Sequence, residues 1–367
     1  MKRVLVNAYF AINLGDDLFL KILFDRYQDV HWDLLTSNGK YKDIFKEYRN
    51  VNIINTLNVN LGIRTINLFS ILNDKFFHYK KYDALIIIGG SIFMQNSTWE
   101  RGLEERLHLP RIFNRMNKPT FIIGANFGPY KDISFVDSYK EYFKLFTDIC
   151  FRDFFSYNLF KNLDNVRLAP DIVFNLIHKN ISKEEEYVGF SLINLENRKG
   201  LSEHSYEYKA KMISLIEGYI ENGYKIKLFS FCEAEGDLEI INSILKSLNT
   251  KSDSVVKVIN YDGNIDRFLE EFSSCEKIVG TRFHSIILGF LFNKSVIPLI
   301  YSDKTFNVLK DLELNKFYYY LKDIKNLDVE EIIQQKNVMK NREVLSQSEK
   351  HFKVLDSVFL KGFGLIS

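Results

Sequence analysis

Cysteine is scarce in this chain of 367 residues, and the three cysteines that occur lie far apart. Cys150, Cys232 and Cys275 show no C-x-x-C spacing, so the sequence predicts neither a disulfide framework nor a zinc site. No cluster of histidine, cysteine and carboxylate residues has the spacing of metal ligands, and we predict a function that needs no metal and no cofactor. Isolated thiols fit a reducing compartment, so a cytoplasmic location is expected.

An excess of charge of one sign is absent as well. The 49 basic and 47 acidic residues leave a formal charge of +2, so binding to nucleic acid is not favoured. No apolar stretch approaches the length of a membrane span. Residues 1–7 carry too short an apolar run for a signal peptide.

The chain instead alternates short apolar strands with longer amphipathic segments, which is typical of parallel α/β sheets. Its length exceeds what one core usually serves, so two domains are expected. We predict two Rossmann-like domains that face each other across a cleft, over residues 1–180 and 187–325, followed by a helical tail over 326–367. The polar segment Lys179–Glu186 is interpreted as the linker, although a solvated helix start has the same pattern.

The strand predictions rest on short apolar runs, two of which are apolar on both faces, as buried parallel strands are. In the first half the predicted strands are Val4–Ala8, Trp32–Thr36, Val51–Ile54, Ala84–Ile88, Thr120–Ile123, Asp148–Phe151 and Val166–Leu168. In the second half they are Tyr187–Leu192, Lys225–Phe229, Val255–Val258, Lys277–Val279 and Ser295–Leu299. The predicted helices include Asp17–Arg26, Trp99–Met116, Tyr206–Asn222, Asp237–Leu248, Ile265–Ser273 and the charged tail from Val329 to Leu360.

The most informative segment is Gly280–Ser285, which follows a predicted strand and precedes a helix over Ser285–Phe292. Ligands of open α/β sheets bind just beyond the carboxyl ends of the strands. Arg282 and His284 lie two residues apart at this turn, so a permanent cation and a titratable imidazole can face one ligand. This pairing suits an anionic carboxylate or phosphate. A capped turn with a structural ion pair is the alternative interpretation.

Two turns near the N-terminus also carry unusual chemistry at predicted strand ends. In the segment Asn13–Asp17, Gly15 allows a tight turn, and the helix start beyond it offers N–H groups to an anion or a hydroxyl. Asp16 or Asp17 could equally be a plain helix cap. The pair Gly89-Gly90 lets the backbone approach a ligand closely, but it is not the G-x-G-x-x-G motif of dinucleotide sites.

Further strand ends add polar candidates. Asn126 lies in the loop Gly124–Pro129, Arg152 follows a short strand, and Asp171 follows Pro170. A structural ion pair is the alternative for Arg152 and its neighbour. In the second half, the strand that begins at Tyr187 ends in the segment Phe190-Ser191-Leu192, and Arg198 and His204 lie in the following loop. Glu233 and Glu235 lie beyond the strand end Phe229-Ser230-Phe231. Lys304 begins a predicted helix, where a surface lysine is the alternative.

In this order, the turns resemble the polysaccharide pyruvyl transferase family. The Arg-x-His turn is the most specific part, and Ser91 stands where the family often has a third glycine. The resemblance implies a GT-B-like fold of two Rossmann-type domains and the transfer of pyruvate from phosphoenolpyruvate to two hydroxyls of a sugar, which forms a cyclic ketal. The matching residues are Asn13–Asp16, Gly89-Gly90, Gly124–Pro129, Phe151–Asp153, Ala169–Asp171, Ser191, Gly280–His284 and Tyr301–Lys304.

The candidate residues suit that chemistry. Arg282 is predicted to clamp the carboxylate or phosphate of phosphoenolpyruvate, with Lys304 or Arg152 in support and Ser191 on the donor side. His284 is predicted to be the general acid that protonates the methylene carbon. Asp16, Asp17 and Asp171 compete for the role of the carboxylate that accepts hydroxyl protons or holds the sugar. Asn13, Gly15, Gly89, Gly90 and Asn126 complete the predicted acceptor side of the cleft.

The acceptor is less visible in the sequence. The segments Ile63–Lys81 and Arg106–Lys118 mix aromatic and basic residues, as do peptides that lie on anionic membrane surfaces. A lipid-linked oligosaccharide at the inner membrane face would suit them, and ordinary packing helices are the alternative.

Two other function classes stay open. A GT-B glycosyltransferase that uses a nucleotide sugar would share the fold, and Asp303 and Asp311 have the spacing of donor-site acids, but a glycine-rich diphosphate loop is missing from the second half. A non-catalytic sugar-binding or assembly protein would have no need of Arg282 and His284.

Overall fold

The computed structural model describes residues 1–367 except 57, 62–63, 68–77, 178–184, 197, 199, 250–253, 315, 341 and 361–367. Side chains of residues 57–77 and of residue 185 are outside that description as well. Residues 179–184 of the predicted linker and most of the segment 63–81 therefore lie outside the described residues, and the last two residues of the predicted linker begin a strand.

The described chain divides into two compact units. The first comprises residues 1–10, 19–172 and 346–367, and the second comprises residues 11–18 and 173–345. Residues 11–18 thus group with the second sheet, and the described C-terminal residues 346–360 group with the first.

The first unit contains a parallel sheet of seven strands in the order β3-β2-β1-β6-β7-β8-β9. Strands β6 and β7 are buried along their whole length, because apolar side chains cover both faces of a parallel sheet. Between β3 and β6 lies a small antiparallel hairpin, β4-β5, which the sequence did not predict. The strands are β1 Lys2–Ala8, β2 Val30–Thr36, β3 Val51–Asn55, β4 Asn58–Leu61, β5 Arg64–Asn67, β6 Ala84–Ile88, β7 Thr120–Ala125, β8 Asp148–Phe151 and β9 Val166–Leu168.

The second unit contains a parallel sheet of six strands in the order β12-β11-β10-β13-β14-β15. Both sheets follow the 3-2-1-4-5-6 order of the Rossmann fold, so each has a point where the strand order reverses. That point lies between β1 and β6 in the first sheet and between β10 and β13 in the second. The strands are β10 Glu185–Ser191, β11 Lys225–Ser230, β12 Val256–Asn260, β13 Cys275–Gly280, β14 Ser295–Ile300 and β15 Tyr319–Tyr320.

Helices connect the strands in both units. The helix Ile265–Ser273 has the predicted bounds. The other predicted helices that connect strands agree with the prediction to within a few residues. The α-helices are Leu14–Arg26, Tyr41–Ile44, Trp99–Arg115, Ile133–Phe143, Phe154–Phe160, Ser205–Glu221, Asp237–Leu245, Ile265–Ser273, Phe283–Leu291, Asp303–Asp311, Val329–Gln334, Glu343–Ser348 and Lys353–Phe359. Short 3-10 helices span Tyr79–Lys81, Ile172–Asn175, Ser202–His204, Glu233–Glu235, Leu321–Asn326 and Glu349–Phe352.

The segment from Val329 to Leu360, which the sequence predicts to be helical, is divided into several helices. The tail forms short helices, and residues 335–340 are not helical. Asn337 explains the break: its backbone carbonyl accepts from the Val296 N–H (2.8 Å), and its side chain donates to the Val296 carbonyl (2.9 Å). Pairing with the start of β14 therefore replaces the helical hydrogen bonds that the local sequence favours.

The two cores differ in composition. The core of the first unit is rich in aromatic rings, and Phe127 packs edge-on against Phe160 with ring centroids 4.8 Å apart. The core of the second unit is mostly aliphatic, with Leu215, Ile226 and Val279 fully buried. The aromatic excess of the sequence therefore serves packing in the first unit.

Candidate active site

Arg282 lies where the strand order of the second sheet reverses. The Thr281 N–H donates to the Ser191 carbonyl (3.1 Å), and the Arg282 N–H donates to the Ser191 hydroxyl (3.0 Å). Ser191 ends β10 and is fully buried. Its hydroxyl therefore fixes the backbone of Arg282 at the position where folds of this kind bind ligands.

The guanidinium of Arg282 is held by the carboxylate of Asp237. Its Nε donates to both carboxylate oxygens (3.1 and 3.0 Å), and its Nη2 donates to Oδ1. The same carboxylate accepts from the backbone N–H groups of Phe231 (3.0 Å) and Cys232 (3.1 Å). Burial raises the pKa of Asp237 despite the opposing effect of Arg282, and the bidentate contact fixes the plane of the guanidinium.

Glu235 connects this pair to a second arginine. Its Oε2 accepts from Nη1 of Arg282 and from Nη2 of Arg198 (2.9 Å), and its Oε1 accepts from the Asn13 amide (3.4 Å). Burial would raise the pKa of Glu235, but Arg282 and Arg198 outweigh it and lower that pKa. The Glu235 side chain is 29% exposed. Two guanidinium groups thus converge on one oxygen of a carboxylate that solvent reaches.

His284 lies in the first turn of the helix Phe283–Leu291 and packs against Gly15. A Cβ atom at residue 15 would overlap the imidazole ring of His284. Glycine is required at this position because the ring occupies the space of a side chain. The structure therefore brings together Gly15 and His284, which are 269 residues apart in the sequence (284 minus 15).

The helix start that carries Gly15 is fixed by two hydrogen bonds. Asn13 accepts from the Gly15 N–H (3.0 Å) as a helix cap, and the Leu14 N–H donates to the Phe231 carbonyl (3.1 Å). Asp17 is fully buried and accepts from the Tyr261 hydroxyl (2.7 Å), so its contacts are those of a structural residue. Asp16 lies in the first turn of the helix and is partly exposed.

Lys304 lies beside the same turn. Its Nζ is 5.2 Å from the centroid of the Phe283 ring, the residue before His284. Arg198 lies over the Tyr301 ring at 5.5 Å. Both basic side chains therefore contact aromatic rings, and such contacts hold a cation in place without neutralising its charge.

A second polar cluster belongs to the first unit and centres on Arg152. Its Nη1 donates to Asp171 (2.7 Å), and its Nη2 donates to the Asn126 side-chain oxygen (2.9 Å). The side chains of Arg152 and Asp171 are 1% and 0% exposed. Asn126 also accepts from the Ser91 hydroxyl (3.2 Å). This cluster lies beyond the carboxyl ends of β6, β7, β8 and β9.

The glycine pair after β6 makes room for this arginine. A Cβ atom on Gly90 would be 2.6 Å from Nη2 of Arg152. The Gly90 carbonyl accepts from the Asn126 N–H (2.9 Å), and Gly89 precedes it at the end of the strand. The close approach that the sequence assigned to a ligand is made here by a protein side chain.

The candidate residues therefore fall into two groups. Asn13, Gly15, Asp16, Asp17, Ser191, Arg282, His284 and Lys304 belong to the second unit, and Gly89, Gly90, Asn126, Arg152 and Asp171 belong to the first. The sequence placed Arg198 and Glu235 after predicted strand ends but gave them no role, and it did not single out Asp237 in the second unit or His351 in the first. The position of Glu235 just after the end of β11 is the pattern that indicated it.

The described residues contain neither a candidate membrane-spanning helix nor a group of metal ligands. No helix among them is long and apolar enough to cross a membrane. No group of three or more histidine, cysteine or carboxylate side chains among them could hold a metal ion. That the transfer needs no metal stays a prediction. Activity measured with and without a chelator would check it.

The amphipathic segment Arg106–Lys118 lies largely in the helix Trp99–Arg115. Its apolar residues Leu109 and Phe113 are buried with Tyr79 and Tyr82, which favours the packing interpretation for this segment. Membrane contact stays a prediction.

Two Rossmann-like sheets with polar clusters at their carboxyl ends define a GT-B-like protein. Solved structures share this fold. UDP-bound MnaA from S. aureus has a TM-score of 0.60 and 11% identity, and the match covers 100% of this chain and 98% of that one. Anabaena HepE with UDP-glucose has a TM-score of 0.59 and 11% identity, and the match covers 98% of this chain and 100% of that one. A UDP-GlcNAc 2-epimerase from Methanocaldococcus jannaschii is also similar (0.57, 13%, 97% and 99%). At such identities the likeness shows the fold alone, and the predicted fold class is confirmed.

The chain belongs to the polysaccharide pyruvyl transferase family, whose model matches residues 13–303. A curated relative is the amylovoran biosynthesis protein AmsJ of Erwinia amylovora, which is 24% identical over 300 residues, 73% of this chain and 68% of that protein. The resemblance predicted from the turns is therefore confirmed, and the protein is a transferase of polysaccharide biosynthesis.

Proposed function

We propose that this protein transfers pyruvate from phosphoenolpyruvate to two hydroxyls of a sugar and so forms a cyclic ketal on a surface polysaccharide or its precursor. The observation that carries the proposal is the turn in which Arg282, fixed by Ser191 and Asp237, stands two residues before His284. A fixed cation beside a titratable imidazole is what an anionic substrate that must be protonated requires.

The donor is taken to bind at Arg282 and Arg198. Both guanidinium groups meet one oxygen of Glu235, which is partly exposed. Phosphoenolpyruvate carries a carboxylate and a phosphate, either of which can replace the Glu235 carboxylate at this edge, because arginine binds both groups through the same planar fork. Asp237 keeps the Arg282 plane in place during the exchange.

His284 is proposed as the acid that gives a proton to the methylene carbon of phosphoenolpyruvate. The methylene carbon becomes a methyl group, the C–C double bond becomes a single bond, and C2 becomes cationic. A sugar hydroxyl adds to C2 and loses its proton, and phosphate leaves with its bonding electron pair. A second hydroxyl of the same sugar then adds to C2 and loses its proton, which closes the ring. Asp16 and Asp171 are the candidates for accepting these protons.

A thermal-shift titration with phosphoenolpyruvate and a panel of nucleotide sugars tests the donor. A ligand that binds only the folded state adds about 2.7 kcal/mol of stability at a hundredfold excess over its dissociation constant. We expect phosphoenolpyruvate to raise the midpoint of the wild type and of Arg267→Ala, whose arginine is an exposed residue of the same unit (58% exposed). The Arg282→Ala protein should show no shift.

A midpoint shift with a nucleotide sugar and none with phosphoenolpyruvate would overturn the proposal. The protein would then be a GT-B glycosyltransferase. A shift with phosphoenolpyruvate that persists in Arg282→Ala would keep the donor and remove this arginine from its site.

A further inference from the structure

The C-terminal segment 346–360 packs on the first sheet, although it lies beyond the residues that match the family. Arg26 makes a bidentate contact with Asp356 (2.9 and 2.6 Å). Nη1 of Arg167 donates to the Lys350 carbonyl (2.6 Å). These contacts hold the segment against helix Leu14–Arg26 and strand β9, and they bring one histidine to the polar cluster of that unit.

His351 is fully buried, and its Nε2 is 2.8 Å from the Pro170 carbonyl oxygen. A carbonyl only accepts, so this ring nitrogen must carry the proton and donate it. Burial lowers the pKa of His351 to about 4, so the ring is neutral near pH 7 and its other nitrogen, Nδ1, carries a lone pair. Nδ1 has no hydrogen-bond partner among the described side chains and backbone groups.

The accepting carbonyl belongs to the peptide that joins Pro170 to Asp171. Asp171 is the carboxylate that receives Nη1 of Arg152 (2.7 Å), and Arg152 in turn donates to Asn126 (2.9 Å). All of these side chains are buried. The hydrogen bond from His351 therefore sets the plane of the peptide from which the Asp171 side chain starts.

We propose that His351 is a positioning residue of the transferase: through the Pro170 carbonyl it holds Asp171 in its place against Arg152. The C-terminal segment thus completes the polar cluster of the first unit. This inference rests on the proposed function in so far as Asp171 acts in the transfer.

The expected effect follows from the geometry. Without the N–H of His351, the partly buried Pro170 carbonyl loses its partner, and the peptide can rotate to find another. A displacement of about 1 Å in a reacting group can lower the rate by about 10²-fold. The variant His351→Leu should therefore lower kcat/KM for the sugar acceptor by about 10²-fold. The midpoint shift caused by phosphoenolpyruvate should stay as in the wild type.

Two further variants separate positioning from mere stability. In His351→Gln, the introduced side-chain amide can place an N–H where Nε2 of the imidazole lies, so this variant should restore most of the lost rate. The variant Asp356→Asn weakens the contact of the same segment with Arg26 but leaves Pro170 alone. It should lower the unfolding midpoint with little change in kcat/KM. Equal rate losses in all three proteins would contradict the proposal.

A double-mutant cycle with Asp171→Asn is the decisive measurement. If His351 acts through Asp171, then adding His351→Leu to Asp171→Asn should change kcat/KM by less than about 3-fold. Rate losses that multiply would show that His351 acts independently, and the proposal would be wrong.

The cycle also distinguishes this inference from the proposed function. If the wild type transfers no pyruvate, the proposed function fails, and the same four proteins are then compared by urea unfolding. Unfolding midpoints whose changes do not add would still support the contact between His351 and the Asp171 turn. Additive changes would overturn it.

Discussion

Each sheet carries an arginine–aspartate pair at its carboxyl end, and the two pairs differ in how far solvent reaches their surroundings. In the first unit, the side chains of Arg152 and Asp171 are 1% and 0% exposed and form an ion pair. In the second, Asp237 holds Arg282 in a similar way, but Glu235 and Arg198 extend the pair outward with side chains 29% and 26% exposed.

This difference in exposure separates a buried pair, which is held in place, from a pair that can exchange partners. In a buried ion pair each charge depends on its partner, and breaking the pair leaves an uncompensated charge. A partly exposed carboxylate between two arginines can leave for solvent, and an anionic ligand can take its place. We therefore propose the second unit as the location of the donor site.

The largest expected effect is on His284, the acid of the proposed mechanism. The variant His284→Ala should lower turnover by about 10²- to 10⁴-fold, which is the usual contribution of a general acid. Steady-state phosphate release at saturating phosphoenolpyruvate measures it, and circular dichroism checks that the fold is intact. Unchanged turnover in a folded variant would remove His284 from the mechanism.

Gly15→Ala is the matched test of the same site. Alanine usually stabilises a helix by about 1 kcal/mol relative to glycine, but here its Cβ would overlap the His284 ring. Turnover should therefore fall although the helix propensity rises. A more stable and fully active Gly15→Ala protein would show that His284 does not need this position.

The second prediction tests the contrast between the two arginines. The variant Arg152→Met should lower the free energy of unfolding by about 3–5 kcal/mol, because Asp171 is left buried without its partner. The variant Arg198→Met should lower it by about 1 kcal/mol or less, because its ion pair is partly exposed to solvent. Urea unfolding of both proteins measures the difference.

The binding readout should run in the opposite order. Arg198→Met should weaken the midpoint shift caused by phosphoenolpyruvate. In Arg152→Met the unfolding midpoint is lower, but phosphoenolpyruvate should still raise it. If both variants lose the same stability, exposure does not distinguish the two clusters.

The third and smallest effect is a pH dependence that His351 adds to the first unit. Its pKa of about 4 lies below the ordinary histidine value of 6.5, so the unfolded state binds more protons between these values. Stability from this residue is therefore complete above pH 6.5 and is lost as the pH falls toward 4, by roughly 3 kcal/mol in total. Asp171, Arg152 and Arg167 are the charged groups that act on this ring.

Comparison with His351→Gln isolates that contribution, since glutamine does not titrate. Urea unfolding between pH 4 and pH 7 should show a steeper loss of stability in the wild type than in the variant. Parallel curves would mean that the ring does not change its protonation on unfolding.

Much of the fold was readable from the sequence because burial on both faces is a local property of composition. The strands Ala84–Ile88, Asp148–Phe151 and Val166–Leu168 have the predicted bounds. The break in the helical tail was not predicted, because Asn337 pairs with Val296 and no local pattern contains that pairing.

The site was predicted in part for the same reason. Arg282 and His284 stood out because both lie in one turn. Glu235 was noted without a role and His351 was not noted, because their partners are distant: Glu235 lies 47 residues from Arg282, and His351 lies 181 residues from Pro170. The sequence could not show which carboxylates pair with Arg282.

The sequence by itself determined two parallel sheets, their order of strands and helices, and the turns at which polar residues follow buried strands. The period and length of apolar runs fix these features locally. Only the tertiary structure decided that Arg152 is buried with its carboxylate and that Arg198 and Arg282 share a carboxylate that solvent reaches. It also placed Gly15 under His284 and His351 beside Pro170. Exposure and charge pairing depend on groups that the chain brings together from afar, and desolvation then sets how each charge behaves.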